Sequence, residues 1–456
     1  MMEEITGEKD SWEVLGGLIA HGHLSDIQFF MEGIPSKERA RAISRLNEEE
    51  HIRLLEILGP TIAADILDDL PDAQAADLLE EVKPAAAAAI IEELDSDDRA
   101  DILGDMDEEA TELILEKMAP EEAEEAREMM EFADDSAGGI MIKEYLAYPA
   151  HVTLLDIQND LRENAEKYKN YLVQYIYIID ENESFIGLIR LRDMVLNSGQ
   201  RKAADIAIKD PICVATDTPI EELQSFFDEF PYLGVPVIDA ENKLTGVVIR
   251  ADVEEAAEEK AQDSFLKSAG IVGGEELRSM PLTKRAFRRL GWLSPNLVLN
   301  LISASIIAIY QDTLEAAIAL AVFLPIISDM SGCSGNQAVA VSIRELSMGF
   351  IEPKEIKRVL FKEVFVGLIN GFILGLLLST VAAIYGGNLY LGLIVGLALF
   401  LNTVIAVCLG GLLPLVLKRL KKDPALASGP ILTTVTDMCG FFIVLSLASQ
   451  ILSKLA

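Results

Sequence analysis

The chain has 456 residues, half of them hydrophobic, and a formal net charge of -36. So large an excess of acid repels phosphate and argues against nucleic acid as a partner, while four cysteines without a CxxC pair imply neither a disulfide framework nor a zinc site. The charge is split: residues 1–135 hold 39 Asp and Glu against 10 Lys and Arg, whereas residues 280–456 hold 9 against 14. Residues 1–10 are polar and acidic where a secretory leader needs an apolar core, so the acidic front half is expected in the cytoplasm.

From Glu32 to Arg127 the sequence repeats every twelve residues, in segments starting at Glu32, Ser44, Glu56, Asp68, Glu80, Glu92, Gly104 and Glu116. The third position of each is apolar: Ile34, Leu46, Leu58, Leu70, Val82, Leu94, Met106 and Met118. Proline or acid ahead of an Ala-rich run reads as a cap and first turn, so each unit predicts a short turn plus two turns of helix. Stacked units predict a superhelical solenoid. Its outer face is expected to carry the densest acids, Asp95, Asp97, Asp98, Asp101, Asp105 and Asp107, whose repulsion calls for a counterion.

Beyond Asp135 the pattern turns to β-branched runs, Tyr175–Asp180 and Phe185–Arg190, joined by a turn at Glu181–Ser184. The same grammar returns at Gly234–Asp239 and Leu244–Ile249 around a turn at Ala240–Lys243. With Gly187-Leu188-Ile189-Arg190-Leu191-Arg192-Asp193 matched by Gly246-Val247-Val248-Ile249-Arg250-Ala251-Asp252, this half-sized α/β unit resembles a tandem pair of CBS domains. Such pairs often bind adenine nucleotides through a hydroxyl three residues after the glycine and an acid three residues later. Here the acids remain, as Asp193 and Asp252, but Arg190 and Ile249 stand where the hydroxyl would be, which tells against ATP. Ala251–Lys267 then reads as one acidic helix without internal Gly or Pro, leading to a basic boundary at Lys284, Arg285, Arg288 and Arg289.

Five apolar stretches follow, at 290–310, 314–343, 359–385, 389–417 and 425–452, each long enough to span a bilayer with tilt. Lys and Arg cluster at 284–289, 344–362 and 418–422 and are absent from 311–313 and 386–388, which places the basic loops inside and the C-terminus outside. The second stretch carries Pro325, Asp329 and then Ser331-Gly332-Cys333-Ser334-Gly335-Asn336, in which small residues permit close helix approach while Pro325, Gly332 and Gly335 are expected to loosen the backbone and expose carbonyls to a pore. Asn370 and Asn402 fit helix-to-helix hydrogen bonds. The fifth stretch holds Asp437 beside Thr433, Thr434 and Thr436. A carboxylate at that depth costs roughly 2.5–3.5 kcal/mol and faces a polar path or a partner helix, and hydroxyls at helical spacing from it offer oxygens suited to a hard cation. No histidine lies in this half, which removes His-based triads and an imidazole-lined metal pore.

Taken with Asp423-Pro424-Ala425-Leu426-Ala427-Ser428-Gly429-Pro430 before the threonines, and the Gly/Asn/Gln stretch of the second span, the chain resembles the MgtE family of magnesium channels over nearly its whole length. The resemblance implies an acidic helical-repeat N-domain (1–135), tandem α/β CBS domains (136–250), a connecting or plug helix and linker (251–280) and an all-α pore domain of five helices (281–456). It implies a homodimer in the lipid of the inner (plasma) membrane, taking up Mg2+ past Asp437, with Thr433, Thr436, Asp329 and Asn336 lining the path. It also implies regulatory Mg2+ on Asp252, Glu255, Glu258, Glu259 and Asp263, with Asp95 and Asp98 of the N-domain, holding the channel shut. Where the family usually has Gly-Gly-Asn, this chain has Ser331-Gly332-Cys333, a change that bears on selectivity. A cation-coupled magnesium exporter and a non-conducting magnesium or nucleotide sensor are the competing readings, and no enzyme activity is expected.

Overall fold

The twelve-residue period of the sequence becomes a run of helices in the computed structural model, which describes residues 10–169, 171, 173–182, 184–271, 282–425 and 429–452. Part of the expected linker (272–280) and Leu426–Ser428 before the fifth span lie outside them. The chain divides into two compact units, one running to Ala261 and the other beginning at Gln262.

The first unit opens with α1 (Ser11–His21), α2 (Leu24–Glu32), α3 (Ser36–Ile43), α4 (Glu48–Leu58), α5 (Pro60–Leu67), α6 (Asp72–Glu80), α7 (Pro84–Ile91), α8 (Ser96–Asp105), α9 (Glu108–Leu115) and α10 (Pro120–Met129). From Leu24 onward every helix starts twelve residues after the one before, so the register begins one unit ahead of the repeat seen in sequence. Pro60, Pro84 and Pro120 sit in first turns, where a missing N–H breaks no helical bond, and Asn47 closes a capping box with Glu50 at 3.0 Å in both directions. The apolar third positions from Leu46 to Met118 are buried, and helices two apart pack together: α5 on α7, α6 on α8, α7 on α9, α8 on α10. Packing confined to helices close in sequence makes the stack a solenoid. Arg99, 3% exposed, fastens its last turns by pairing with Glu122 and donating to the Leu94 carbonyl at 3.1 Å.

Two small sheets follow. The first orders β1 (Leu146–Pro149), β2 (Tyr175–Ile179), β3 (Phe185–Arg190) and β4 (Ile208–Lys209), with α11 (Leu154–Glu163), α12 (Leu191–Leu196) and α13 (Ala203–Ile206). The second orders β5 (Val214–Ala215), β6 (Gly234–Ile238) and β7 (Leu244–Ile249), with α14 (Ile220–Glu229). In both, a parallel pair precedes an antiparallel hairpin, and the hairpins pair Ile178 with Gly187 and Val237 with Gly246. The turns repeat as well: Asp180 Oδ1 accepts from the Asn182 and Ser184 amides, and Asp239 Oδ1 from those of Glu241 and Lys243. Ala100 and Met129 of the helical stack share one core with Leu223, Val235, Val248 and Val253, so stack and second repeat are joined through apolar contact. The connecting helix, α15 (Arg250–Ser268), runs two residues beyond its expected span.

The second unit holds α16 (Leu282–Ile309), α17 (Gln311–Ala316), a 3-10 turn (Ile318–Val322), α18 (Leu324–Ser347), α19 (Ile356–Gly386), α20 (Leu389–Arg419) and α21 (Gly429–Gln450). Among the described residues, five helical segments are long and apolar enough to cross a membrane. Within the 314–343 stretch the backbone breaks at Ala317 (φ -134°, ψ 64°), and the candidate span runs from Ile318 to Ser347. One expectation is corrected. Pro325 does not loosen α18 but sits in its first turn, and the helix runs unbroken through Gly332 and Gly335.

Glycines set how closely α19 and α20 approach. A Cβ on Gly371 would lie 2.8 Å from the Phe400 carbonyl oxygen, and one on Gly375 would lie 2.6 Å from that of Gly396. Gly375→Ala therefore forces the helices apart, and we expect thermal unfolding of the purified protein to show a loss of about 1–3 kcal/mol.

Candidate ion-binding sites

Asp437 lies half-buried within α21, and its Oδ1 accepts a hydrogen bond from the Ser328 hydroxyl of α18. This is the neighbouring-helix bond that a purely structural aspartate would also make, but it engages one oxygen of the carboxylate. Thr433, four residues earlier and on the same helical face, is half-buried and donates to the carbonyls of Gly429 (2.9 Å) and Pro430 (3.2 Å). Thr434 and Thr436 are buried, with their hydroxyl protons turned onto Pro430 O (2.6 Å) and Thr433 O (3.0 Å). Within one chain, then, Thr433 and Asp437 share an open face and Thr436 does not join them.

Asp329 and Asn336 are exposed on α18, and Cys333 falls on the same stripe by its i, i+4, i+7 spacing. The structure thus brings Ser328, and not Asp329, to Asp437. Behind the site, Asn402 of α20 is fully buried and donates from Nδ2 to the Thr436 carbonyl at 3.1 Å, while Ser303 of α16 donates to the Thr434 carbonyl at 3.2 Å. The helix-to-helix hydrogen bond expected of Asn402 is present. Ser328 and Ser303 escaped sequence reasoning because serine is unremarkable in an apolar helix; the available signal was the position of Ser328 one residue after buried Ile327.

The second site is the acidic cluster of the first unit. The carboxylates of α8 were expected on an outer face, but Asp97, Asp98 and Asp101 are half-buried. Burial pushes all of them up: Asp97 to about 8, with Asp252 and Asp95 adding repulsion; Asp98 to about 10, against Asp97, Asp68 and Asp72; Asp101 to about 8, against Asp72, Asp97, Asp134 and Glu259. Asp95 rises to about 6 by burial and by Glu144, and Asp252 to about 7 by burial and by Glu255. Asp252 Oδ2 is enclosed without a hydrogen-bond partner. The structure therefore gathers Asp95, Asp98, Asp252, Glu255 and Glu259 around common neighbours, and adds Asp68, Asp72, Asp97, Asp101 and Asp134. Their signal was the repeat itself, since α6 and α8 pack two units apart and bring acids about 24 residues apart together. Glu255, Glu258 and Glu259 are all exposed on α15, and Asp263 pairs with Lys267 at 2.5 Å, which also reaches Asp423 at 3.7 Å. Among the described residues no three His, Cys, Asp or Glu side chains converge as direct ligands of one metal ion. An orphaned buried carboxylate oxygen among mutually repelling acids nonetheless fits a cation, and oxygen donors suit a hard one.

A cavity of about 220 Å³ between the two CBS repeats is lined by Tyr145, Tyr175, Tyr177, Arg250, Glu144 and Glu254, among others. It is a poor seat for ATP. Arg250, the cation in this set, already donates to the backbone of Tyr232 (3.1 Å) and Phe230 (2.8 Å), and two glutamates would oppose a triphosphate.

The fold and these sites define a five-span membrane protein with an appended acidic helical stack and CBS pair. Family models agree along the chain: a divalent cation transporter domain over residues 324–447, an MgtE intracellular N domain over 34–135 and a CBS domain over 203–259. The "Magnesium transporter MgtE" of Bacillus subtilis (strain 168) is 32% identical over 74% of each chain, and that of Thermus thermophilus is 32% identical over 73% of this chain and 74% of its own. The crystal structure of the soluble part of a magnesium transporter superposes with a TM-score of 0.50 at 25% identity, covering 57% of this chain and all of the other. The protein belongs to the MgtE family, whose members are transporters and not enzymes.

Proposed function

We propose that this protein is a homodimeric magnesium channel of the cytoplasmic membrane, admitting Mg2+ past Asp437 and held closed by Mg2+ on its acidic unit. The observation that carries the reading is a carboxylate in a membrane span whose partner is a neutral hydroxyl, Ser328, and not a cation. Such a group is stable there when it meets a polar path or an ion. Mg2+ gives up its water reluctantly, so Asp437 would hold the ion through its first water shell. Exposed Asp329 and Asn336 support the dimer, because a carboxylate on an open face of a membrane helix needs a polar surface opposite, whereas the exposed Phe365, Ile369, Phe372 and Leu376 of α19 suit lipid. Basic loops at 344–362 and 418–422 favour a cytoplasmic acidic unit.

Gating follows from repulsion. With abundant cytosolic Mg2+, ions between Asp97, Asp101, Asp252 and their neighbours offset the repulsion and favour a compact, closed state. With scarce Mg2+ the carboxylates spread and the path opens. The ions drive closure by their higher affinity for the compact state. ATP, possible but doubtful from the sequence, is not required by this reading.

The test is influx into liposomes containing a magnesium dye. Influx down a Mg2+ gradient alone, suppressed by Mg2+ on the side of the acidic unit, is the expected result. A requirement for a sodium or proton gradient would point to the coupled exporter, and Mg2+ binding without flux would point to the sensor.

A further inference from the structure

Among the described residues of the membrane unit, three side-chain polar atoms are fully enclosed without a hydrogen-bond partner: Ser331 Oγ of α18, and Asn402 Oδ1 and Thr403 Oγ1 of α20. The helix register puts Ser331 and Asn402 at one level. Along α18 and α20, which run in the same direction, a Cβ on Gly335 would lie 3.0 Å from the Ala406 carbonyl oxygen, and Ser342 donates to the Gly411 carbonyl at 2.9 Å. Against α21, which runs the other way, Gly335 faces Leu432 (3.0 Å) and Ile327 faces Gly440 (3.3 Å). Ser331 is one helical turn from both Ile327 and Gly335, so it falls opposite Thr436. That is the residue whose carbonyl Asn402 holds, and Asp437 follows it.

A buried polar atom left unpaired is costly, and two of them at one three-helix junction are the setting in which proteins keep an internal water, which needs about two to four polar partners. We infer that the junction of α18, α20 and α21 holds a structural water between Ser331 Oγ and Asn402 Oδ1, and that Ser331 and Asn402 are positioning residues for Asp437. Ser328 fixes the carboxylate directly, from the same helix as Ser331. The water and the Asn402 amide fix the turn that bears it, so that its geometry toward an ion's water shell is set before the ion arrives. The functional half of this inference rests on the proposed role of Asp437; the water itself does not.

The two halves are tested separately on the full-length protein. For the water, the measurement is thermal unfolding of Ser331→Ala, of Asn402→Leu and of the double variant. If a water joins the two groups, Ser331→Ala lowers the unfolding temperature and the double variant loses less than the sum. If the hydroxyl is unpaired, alanine relieves it, the temperature holds or rises, the effects add, and the inference is overturned. For positioning, Mg2+ influx by Ser331→Ala should show a severalfold rise in the half-saturating concentration with maximal flux retained. An unchanged half-saturating concentration would remove the positioning role while leaving the unfolding result to stand.

Discussion

Asp437→Ala is expected to lower magnesium influx by about 10–100-fold. A hydrogen bond to a charged group contributes about 1.5–3 kcal/mol, and about 1.4 kcal/mol is a factor of ten, so loss of one carboxylate contact with the ion's water shell sets this scale. Asp437→Asn should fall nearly as far, since it keeps the shape and removes the charge. Ser328→Ala removes the donor to Oδ1 and leaves the charge, so its expected loss is smaller. The measurement is initial dye-reported influx in liposomes matched for protein content. Equal flux in wild type and Asp437→Ala would return Asp437 to the role of a structural residue bonded to Ser328.

In the acidic unit, the expected result is that Mg2+ protects strongly at pH 8 and weakly at pH 5. Asp97 and Asp101 are pushed up to about 8 from an ordinary 3.8, with burial the first cause and neighbouring carboxylates the second. A raised carboxylate pKa means that the folded state holds protons more tightly than the unfolded one. The stability it contributes is fully present below about 3.8 and is lost as pH rises through about 8. Cations take over where protons leave. At a Mg2+ concentration of about 100 times Kd the added stability is about 2.7 kcal/mol, or about a hundredfold smaller open population. Amide exchange in α8 of the full-length protein, compared with and without Mg2+ at each pH, reads this directly. Asp97→Asn with Asp101→Asn should remove most of the Mg2+ effect at pH 8. Protection by Mg2+ that is equal at pH 5 and pH 8 would rule out proton–cation exchange at these carboxylates.

What the sequence disclosed follows from periodicity. The twelve-residue spacing of apolar residues sets helix starts from Ser36 to Pro120 because each unit must bury the same face, and the doubled hairpin pattern does the same for the sheets. Hydropathy located five spans, but the loosening role given to Pro325 in the second was wrong, because composition does not distinguish a proline inside a helix from one in its first turn. The acids of α8 were legible as a cluster but not as half-buried, since their burial depends on Asp72 and Asp252 arriving from other elements. Asp437 stood out because charge is rare in an apolar run. Its partner Ser328 did not, because the pairing of two helices is a tertiary fact that local pattern does not carry.

The central claim is that an ion passes Asp437 and that Mg2+ on the acidic unit shuts the path. Its most direct test is a planar-bilayer recording of the purified protein with Mg2+ as the sole permeant cation. Unitary Mg2+ currents without any sodium or proton gradient, with open probability falling as Mg2+ is raised on the side of the acidic unit, are the predicted result. The absence of current until a second ion gradient is imposed, or an open probability indifferent to Mg2+ on that side, would contradict it.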